Sequence, residues 1–401
     1  MVEIARSYEA VLRSHVEAHR QMAFLSGPRQ VGKTTSCRRV RHRCLYLDWD
    51  DQDDRRLILR GPRAVVAETG IERLATESPL LVLDELHKYR RWRTFLKGLF
   101  DRYAEPLRVI VTGSSRMDVY RRGGDSLMGR FLPYRMHPLS VGELLRPQAP
   151  EREIEPPSPL SRAKIDALWE HGGFPEPFVK RDVRFSRRWR QLREELLVRE
   201  DIRDMTRIQE IAQLEILVTL LRDRSAGQLN YSNLAREINV SVDTVRRWIA
   251  ALCRLHHGFL VRPWFRNVAK SLRKEPKWYL RDWSGIRDAG RRAETFVACH
   301  LLKAVEMWED LGFAAFQLCY LRDKQKREVD FLVVRDEQPW FMVEVKAGDA
   351  SLSPALSHFR DQIGADHCFQ VVTDLPFVES DCFARGDPCV VPARTFLSQL
   401  P

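Results

Sequence analysis

Short apolar runs recur through the first 112 residues, with a longer, helix-like pattern between each pair. Residues 22–26 (MAFLS), 44–48 (CLYLD), 80–84 (LLVLD) and 108–112 (RVIVT) are bounded by polar or glycine-containing turns. Continuous rather than alternating apolar runs suit strands covered on both faces, so the pattern predicts a parallel α/β sheet. The stretch RPQAPEREIEPPSPLS, 146–161, holds five prolines among charges and predicts a linker. An α-rich pattern follows to about residue 225. NYSNLAREINVSVDTVRRWI, 230–249, then has the periodicity of two short helices. Ser232 is placed to cap the first, with Leu234, Ala235 and Ile238 inward, and Val240 lies in the turn. Ser241 begins the second, with Val242, Val245 and Ile249 on its apolar side and Thr244, Arg246 and Arg247 outward. GFLVRPWF and KWYLRD follow as strands, and a last α/β segment runs from about 291 to 401.

Within that last segment, REVDFLVVRDEQPWFMVEVKAG, 327–348, reads as two strands joined by a polar turn. Strand alternation puts Asp330 on one face with Leu332 and Val334, and Glu344 on one face with Lys346. A regular hairpin centred near Glu337 sets Asp330 directly across from Glu344, with Cβ atoms about 5 Å apart. Two opposed carboxylates need a cation between them, and either a divalent ion or Lys346 fills that need. The helical stretch RRAETFVACHLL adds a further carboxylate, Glu294.

Candidate chemistry is densest near the first strand. GPRQVGKT, Gly27 to Thr34, fills every position of G-x-x-x-x-G-K-[ST], after a strand and before a helix. Glycine lets backbone N–H groups turn inward to cradle phosphates. The cradle comprises Gly27, Pro28, Arg29, Gln30, Val31, Gly32, Lys33, Thr34 and Thr35. Lys33 is placed to reach the β and γ phosphates of ATP, and the Thr34 hydroxyl to ligate Mg2+. LLVLDE supplies Asp84 as the second Mg2+-holding group and Glu85 as the residue that polarises the attacking water. In RVIVTGSS, either Thr112 or Ser114 is positioned to contact the γ phosphate or that water.

GPRQVGKT, LLVLDE, VTGSS and SLMGRFLPYRMHPLSVGELL together resemble the AAA+-type ATPases of bacteria and archaea that end in a domain of unknown function. The family's Leu-x-Gly-Arg element matches Leu127, Gly129 and Arg130, and its Pro-Leu-Ser segment matches Pro138 to Ser140. GGFPEPF, 172–178, resembles a further family element. The resemblance implies an arginine that touches the γ phosphate, Arg130, supplied within the chain or by a neighbouring subunit; Arg116, Arg121 and Arg122 are the alternatives. It also implies a winged helix, whose recognition residues are Thr244, Arg246 and Arg247. Glu294, Asp330, Glu344 and Lys346 resemble the PD-(D/E)xK nuclease superfamily, particularly its Holliday-junction-resolvase-like branch. That mapping makes Glu294 the helical acid, Asp330 and Glu344 ligands of a second divalent metal, and Lys346 the group that orients water.

The expected fold class is therefore α/β: a P-loop NTPase parallel sheet with helical lid, a winged helix-turn-helix, and a PD-(D/E)xK nuclease-like domain. The expected divisions are 1–150, 151–225, 226–285 and 286–401. Net charge is +11 over 401 residues. The basic excess lies in the first 290 residues, whereas 291–401 is mildly acidic. That distribution favours a polyanionic partner for the front of the chain and disfavours unaided DNA gripping by the back. The acidic run DWDDQDDR, 48–55, reads as a solvated turn, and RFSRRWRQLREELLVREDIRD, 184–204, as an ion-pair-laced helix surface. No run of about 18 uncharged apolar residues predicts a membrane span, and the N-terminus lacks the apolar centre of a secretory signal. The eight scattered cysteines contain no Cys-x-x-Cys pair, which points to a reducing cytoplasm. The leading expectation is a Mg2+-dependent ATPase that remodels or translocates on DNA, as a homo-oligomer. The alternatives are an ATP-regulated, metal-dependent DNA nuclease and a nucleotide switch acting on a protein partner.

Overall fold

The computed structural model describes residues 4–41, 44–71, 78–113, 127–198, 210–265, 274–385 and 388–401. The chain forms two compact units, Met1–His137 with Pro147–Pro150, and Pro138–Arg146 with Glu151–Pro401.

The first unit is built on β1 (Met22–Ser26), β2 (Cys44–Asp48), β3 (Leu80–Asp84), β4 (Arg108–Gly113) and β5 (Phe131–Arg135). Their order is β2-β3-β4-β1-β5, and every neighbouring pair is parallel. The inner runs are covered as expected, β1 and β3 being buried at every position, whereas the edge strand β2 is mostly half-buried. Phe24, Leu81, Leu83 and Val111 join Ile58, Val65, Leu96 and Leu99 from the flanking helices in one core. Each such side chain contributes roughly 1.5–3 kcal/mol through burial. Parallel strands carry all their C-terminal ends to one edge. The loop after β1, Asp84 at the end of β3, and Thr112 near the end of β4 therefore meet there. Helix Ser7–Ala18 packs through Tyr8, Val11, Leu12 and Val16, the spacing of one helical face. The acidic run 48–55 is a capped helix start, with Asp51 accepting from the N–H groups of Asp53 and Asp54.

The second unit carries an eight-stranded sheet. It comprises β6 (Gly227–Gln228), β7 (Gly258–Pro263), β8 (Lys277–Leu280), β9 (Phe316–Arg322), β10 (Glu328–Arg335), β11 (Gln338–Lys346), β12 (His367–Val372) and β13 (Cys389–Pro392). The order is β13-β12-β11-β10-β9-β7-β8-β6. The divisions expected at 225 and 285 fall inside this unit. β7 pairs in parallel with β9 at Arg262↔Cys319 and Pro263↔Tyr320, so one sheet runs through both segments. Trp278, Trp283 and Trp308 are fully buried around helix Ala289–Asp310. Helix Val242–Arg254 lies beside β7, and helix Tyr231–Glu237 packs against that helix. Asn230 rather than Ser232 caps the first, its carboxamide oxygen accepting from the N–H of Asn233, while Ser241 caps the second. In the helix Val183–Leu196, Trp189 is buried and Glu194 pairs with Arg222, while residues 199–204 of the stretch expected as an ion-paired surface lie outside the described residues.

Segments that looked like family signatures serve packing in this unit. Ser140 caps the helix Val141–Leu145. Gly173 leaves no room for a side chain: a Cβ there would lie 2.7 Å from the carbonyl oxygen of Leu139 and 2.8 Å from Trp283.

Candidate functional site

The Gly27–Thr35 loop leaves β1 and enters the helix Lys33–Arg38. Glycine is required at two of its positions. A Cβ on Gly27 would lie 2.4 Å from the Met136 carbonyl oxygen, and Gly32 has φ of 104°, a left-handed backbone. The loop's buried lysine, Lys33, donates to the carbonyls of Gly27 and Pro28, both at 2.9 Å. Burial lowers its pKa, while Glu85 and Asp84 act in the opposite direction. Arg6, which sequence reasoning missed, is buried and donates to the Val31 carbonyl in the loop and to the His137 carbonyl. No local pattern marks it, because its partners lie 25 and 131 residues away.

Asp84 is the hub of the site. Its Oδ2 accepts from Thr34 Oγ1 at 2.8 Å and from the Tyr46 hydroxyl. Its Oδ1 accepts from the buried Thr112 hydroxyl and from the Glu85 N–H at 3.0 Å. Tyr46 is a second residue not foreseen; it reaches Asp84 because β2 and β3 are neighbours with Asp48 level with Asp84. Glu85 adopts φ of 52°, uncommon for a non-glycine residue. Burial pushes its carboxyl up, with Lys33 and Lys88 opposing. Its Oε2 is buried without a hydrogen-bond partner, 3.6 Å from Lys88 Nζ and 3.7 Å from His87 Nε2. A glycine cradle, a helix N-terminus, hard oxygen donors on Thr34 and Asp84 and a spare carboxylate oxygen fit a nucleoside triphosphate with Mg2+.

Other expected residues lie elsewhere. Ser114, Arg116, Arg121 and Arg122 fall outside the described residues. Arg130 immediately precedes β5, and its carbonyl accepts from the N–H of Met22 at the start of β1. That is the N-terminal edge of the parallel sheet, about 16 Å of strand from the edge that carries the phosphate loop. There its guanidinium holds Asp101 through both carboxylate oxygens, at 2.6 and 3.2 Å. Within one chain Arg130 does not reach the site.

In the helix pair, Arg246 and Arg247 are exposed and Thr244 is half-buried. Thr244 shares a hydrogen bond with Ser241 at 2.9 Å and accepts from Arg247 at 3.4 Å. Arg246 lies 3.9 Å from Asp243 and over the Tyr231 ring.

The β10–β11 hairpin does bring Asp330 level with Glu344, though not as a regular hairpin. Asp336 and Glu337 form a tight turn with φ of 46° and 64°, and a bulge at Val333/Val334 shifts the register to Phe331↔Val343. The cation is the surprise. Lys277 Nζ, from β8, lies 2.9 Å from Glu294, 2.6 Å from Glu328 and 3.0 Å from Asp330. Asp330 accepts in addition from the Val345 N–H at 3.0 Å, and Glu294 from the Tyr279 hydroxyl at 2.7 Å. Burial and the Asp330 charge push Glu294 up to about 8. Burial and the same charge push Glu344 up to about 7, against its 2.8 Å pair with Lys346. The second divalent metal expected here finds no support. Glu294, Glu328 and Asp330 converge on an ammonium group while Glu344 pairs with Lys346, and among the described residues no group of three or more His, Cys, Asp or Glu is arranged to hold a metal ion. Among the same residues, no helix is long and apolar enough to cross a membrane.

Residues 19–145 match the family described as an AAA domain. Residues 162–292 and 289–376 match two domains of unknown function, DUF8612 and DUF4143. An uncharacterized protein of Mycobacterium tuberculosis is 25% identical over 361 residues, covering 87% of this chain and 76% of its own. An uncharacterized protein of Mycobacterium bovis matches with the same figures. Among solved structures, a Walker-type ATPase of Pyrococcus abyssi aligns over 70% of this chain and 97% of its own, at 14% identity and TM-score 0.41. The Aeropyrum pernix ORC1 protein in complex with DNA aligns over 74% and 93%, at 14% identity and TM-score 0.30. The front of the chain thus carries an AAA-type P-loop domain, and the rest is similar to domains of unknown function.

Proposed function

We propose that this protein is a Mg2+-dependent ATPase whose hydrolysis is coupled to binding DNA. The observation that carries the ATPase reading is the convergence of Lys33, Thr34, Asp84, Glu85 and Thr112 at one edge of the parallel sheet. Lys33 is held on loop carbonyls that phosphate oxygens can replace, and Thr34 and Asp84 are the oxygen ligands of the metal. A bound Mg2+ supplies neutralisation of phosphate charge. Glu85, with one buried carboxylate oxygen that accepts no hydrogen bond, accepts the proton of the attacking water. Thr112 fixes Asp84 from the neighbouring strand. Glu85→Gln should therefore retain ATP binding and lose turnover by about 10²–10⁴-fold.

The DNA reading rests on the helix Val242–Arg254, which buries Val245, Trp248 and Ile249 while presenting Arg246 and Arg247 to solvent. With the strand pair β7–β8 behind it, this arrangement supports a winged helix that offers its second helix to a major groove. A homo-oligomer is supported at the Arg130 end of the first sheet. Met128 is 77% and Leu132 37% exposed beside Arg130, a surface suited to a second copy whose site would receive that arginine. Duplex binding measured against salt tests the DNA reading. Arg246→Ala with Arg247→Ala should weaken it and reduce the salt slope by about two; unchanged affinity and slope would remove the helix from the interface.

A further inference from the structure

We infer that the Lys277 ammonium permanently takes the place of a metal ion in the carboxylate cluster of the C-terminal sheet, making that cluster a structural lock rather than a nuclease centre. The inference stands independently of the ATPase reading. The geometry is that of a fully served ammonium. Lysine has three N–H donors, and three carboxylates, Glu294, Glu328 and Asp330, lie within 3.0 Å of Nζ. The Lys277 side chain is only 3% exposed, so this charge has no access to bulk water and depends on those acceptors. The Tyr320 ring lies 5.7 Å from the same nitrogen.

The carboxylates come from two elements: Glu294 from the helix Ala289–Asp310, and Glu328 and Asp330 from β10. Lys277 comes from β8, which belongs to the strand pair following the helix pair. The ion cluster therefore crosses β9 and β7, binding the β8 side of the sheet to the β10 side. Both Asp330 oxygens are already engaged, Oδ1 by the Lys277 ammonium and Oδ2 by the Val345 N–H. Lys346, the lysine that a cleaving site would need for its water, is committed to Glu344 at 2.8 Å. A divalent ion at the position of Lys277 Nζ would have to displace an ammonium whose side chain is only 3% exposed.

Mn2+ titration of the full chain without nucleotide, followed by the loss of free-ion paramagnetic resonance, tests this. Wild type and Asp330→Asn should bind Mn2+ identically. Lys277→Met, which leaves the carboxylates uncompensated, should melt lower without metal and gain a Mn2+ site absent from wild type. If Lys277→Met does not fold, the comparison of wild type with Asp330→Asn is itself decisive. Mn2+ affinity in wild type that falls tenfold or more in Asp330→Asn would overturn the inference.

Discussion

The hydroxyl of Thr34 donates a 2.8 Å hydrogen bond to Oδ2 of Asp84, fifty residues further along the chain. It ties the first turn of the phosphate-loop helix to the end of the neighbouring buried strand, so the two oxygen groups suited to Mg2+ are already adjacent. Asp84→Asn keeps the shape and removes the charge. ATP turnover should fall by on the order of 10²-fold or more, as expected when a preorganised charge is lost, while equilibrium binding of a fluorescent nucleotide changes far less. Equal loss of binding and turnover would place Asp84 in general phosphate affinity instead.

Gly27→Ala should damage the loop for a steric reason. The added methyl meets the Met136 carbonyl oxygen at 2.4 Å, and that oxygen belongs to backbone with little freedom to move. Overpacking of this kind costs about 1–3 kcal/mol. The variant should melt lower than wild type and show little further shift on adding ATP. Gly98→Ala is the control. Its methyl meets only Pro62 Cγ at 3.8 Å within the helix Trp92–Tyr103, so it should be neutral or mildly stabilising.

In the second unit, Lys303 Nζ and Glu143 Oε2 are 2.5 Å apart, with side chains 1% and 0% exposed. Lys303→Met leaves a buried carboxylate without its ion partner and should cost about 3–5 kcal/mol. Urea denaturation checks this. Adding Glu143→Leu should recover much of the loss, because the uncompensated charge is then gone.

Glu294 gives a pH signature. Its carboxyl is raised from 4.5 to about 8, first by burial and then by Asp330. The folded state therefore holds a proton that the unfolded chain releases at lower pH. This contribution to stability is complete below about 4.5 and is lost as pH rises through about 8. The melting temperature should accordingly decline from pH 6 to pH 9, and Glu294→Gln should flatten that decline. A slope that survives the substitution would assign it to other groups.

What the sequence made legible was whatever lies close together in the chain. The phosphate loop is one strand, one turn and one helix, so its pattern can be read without tertiary information. The level pairing of Asp330 with Glu344 was also readable, though by a partial cancellation. The two-residue turn at Asp336–Glu337 shifts the pairing one way, and the bulge at Val333/Val334 shifts it back. Lys277 was not readable as their partner. It precedes Glu294 by 17 residues and Asp330 by 53, in a strand that on its own looked like part of a wing. Only the parallel pairing of β7 with β9 brings it into the same sheet. Tyr46 and Arg6 were missed for the same reason. Arg130 shows the converse: a local motif suggested contact with phosphate, but the direction of β5 sets it at the opposite edge of its own sheet, which leaves only the alternative of a neighbouring subunit.

Steady-state ATP hydrolysis with and without duplex DNA tests the central claim most directly, using wild type, Lys33→Ala and the Arg246→Ala/Arg247→Ala double variant. Marked DNA stimulation of wild type, abolished in Lys33→Ala and reduced in the double variant with its basal rate intact, is the predicted result. Turnover indifferent to DNA in wild type and double variant alike would contradict it.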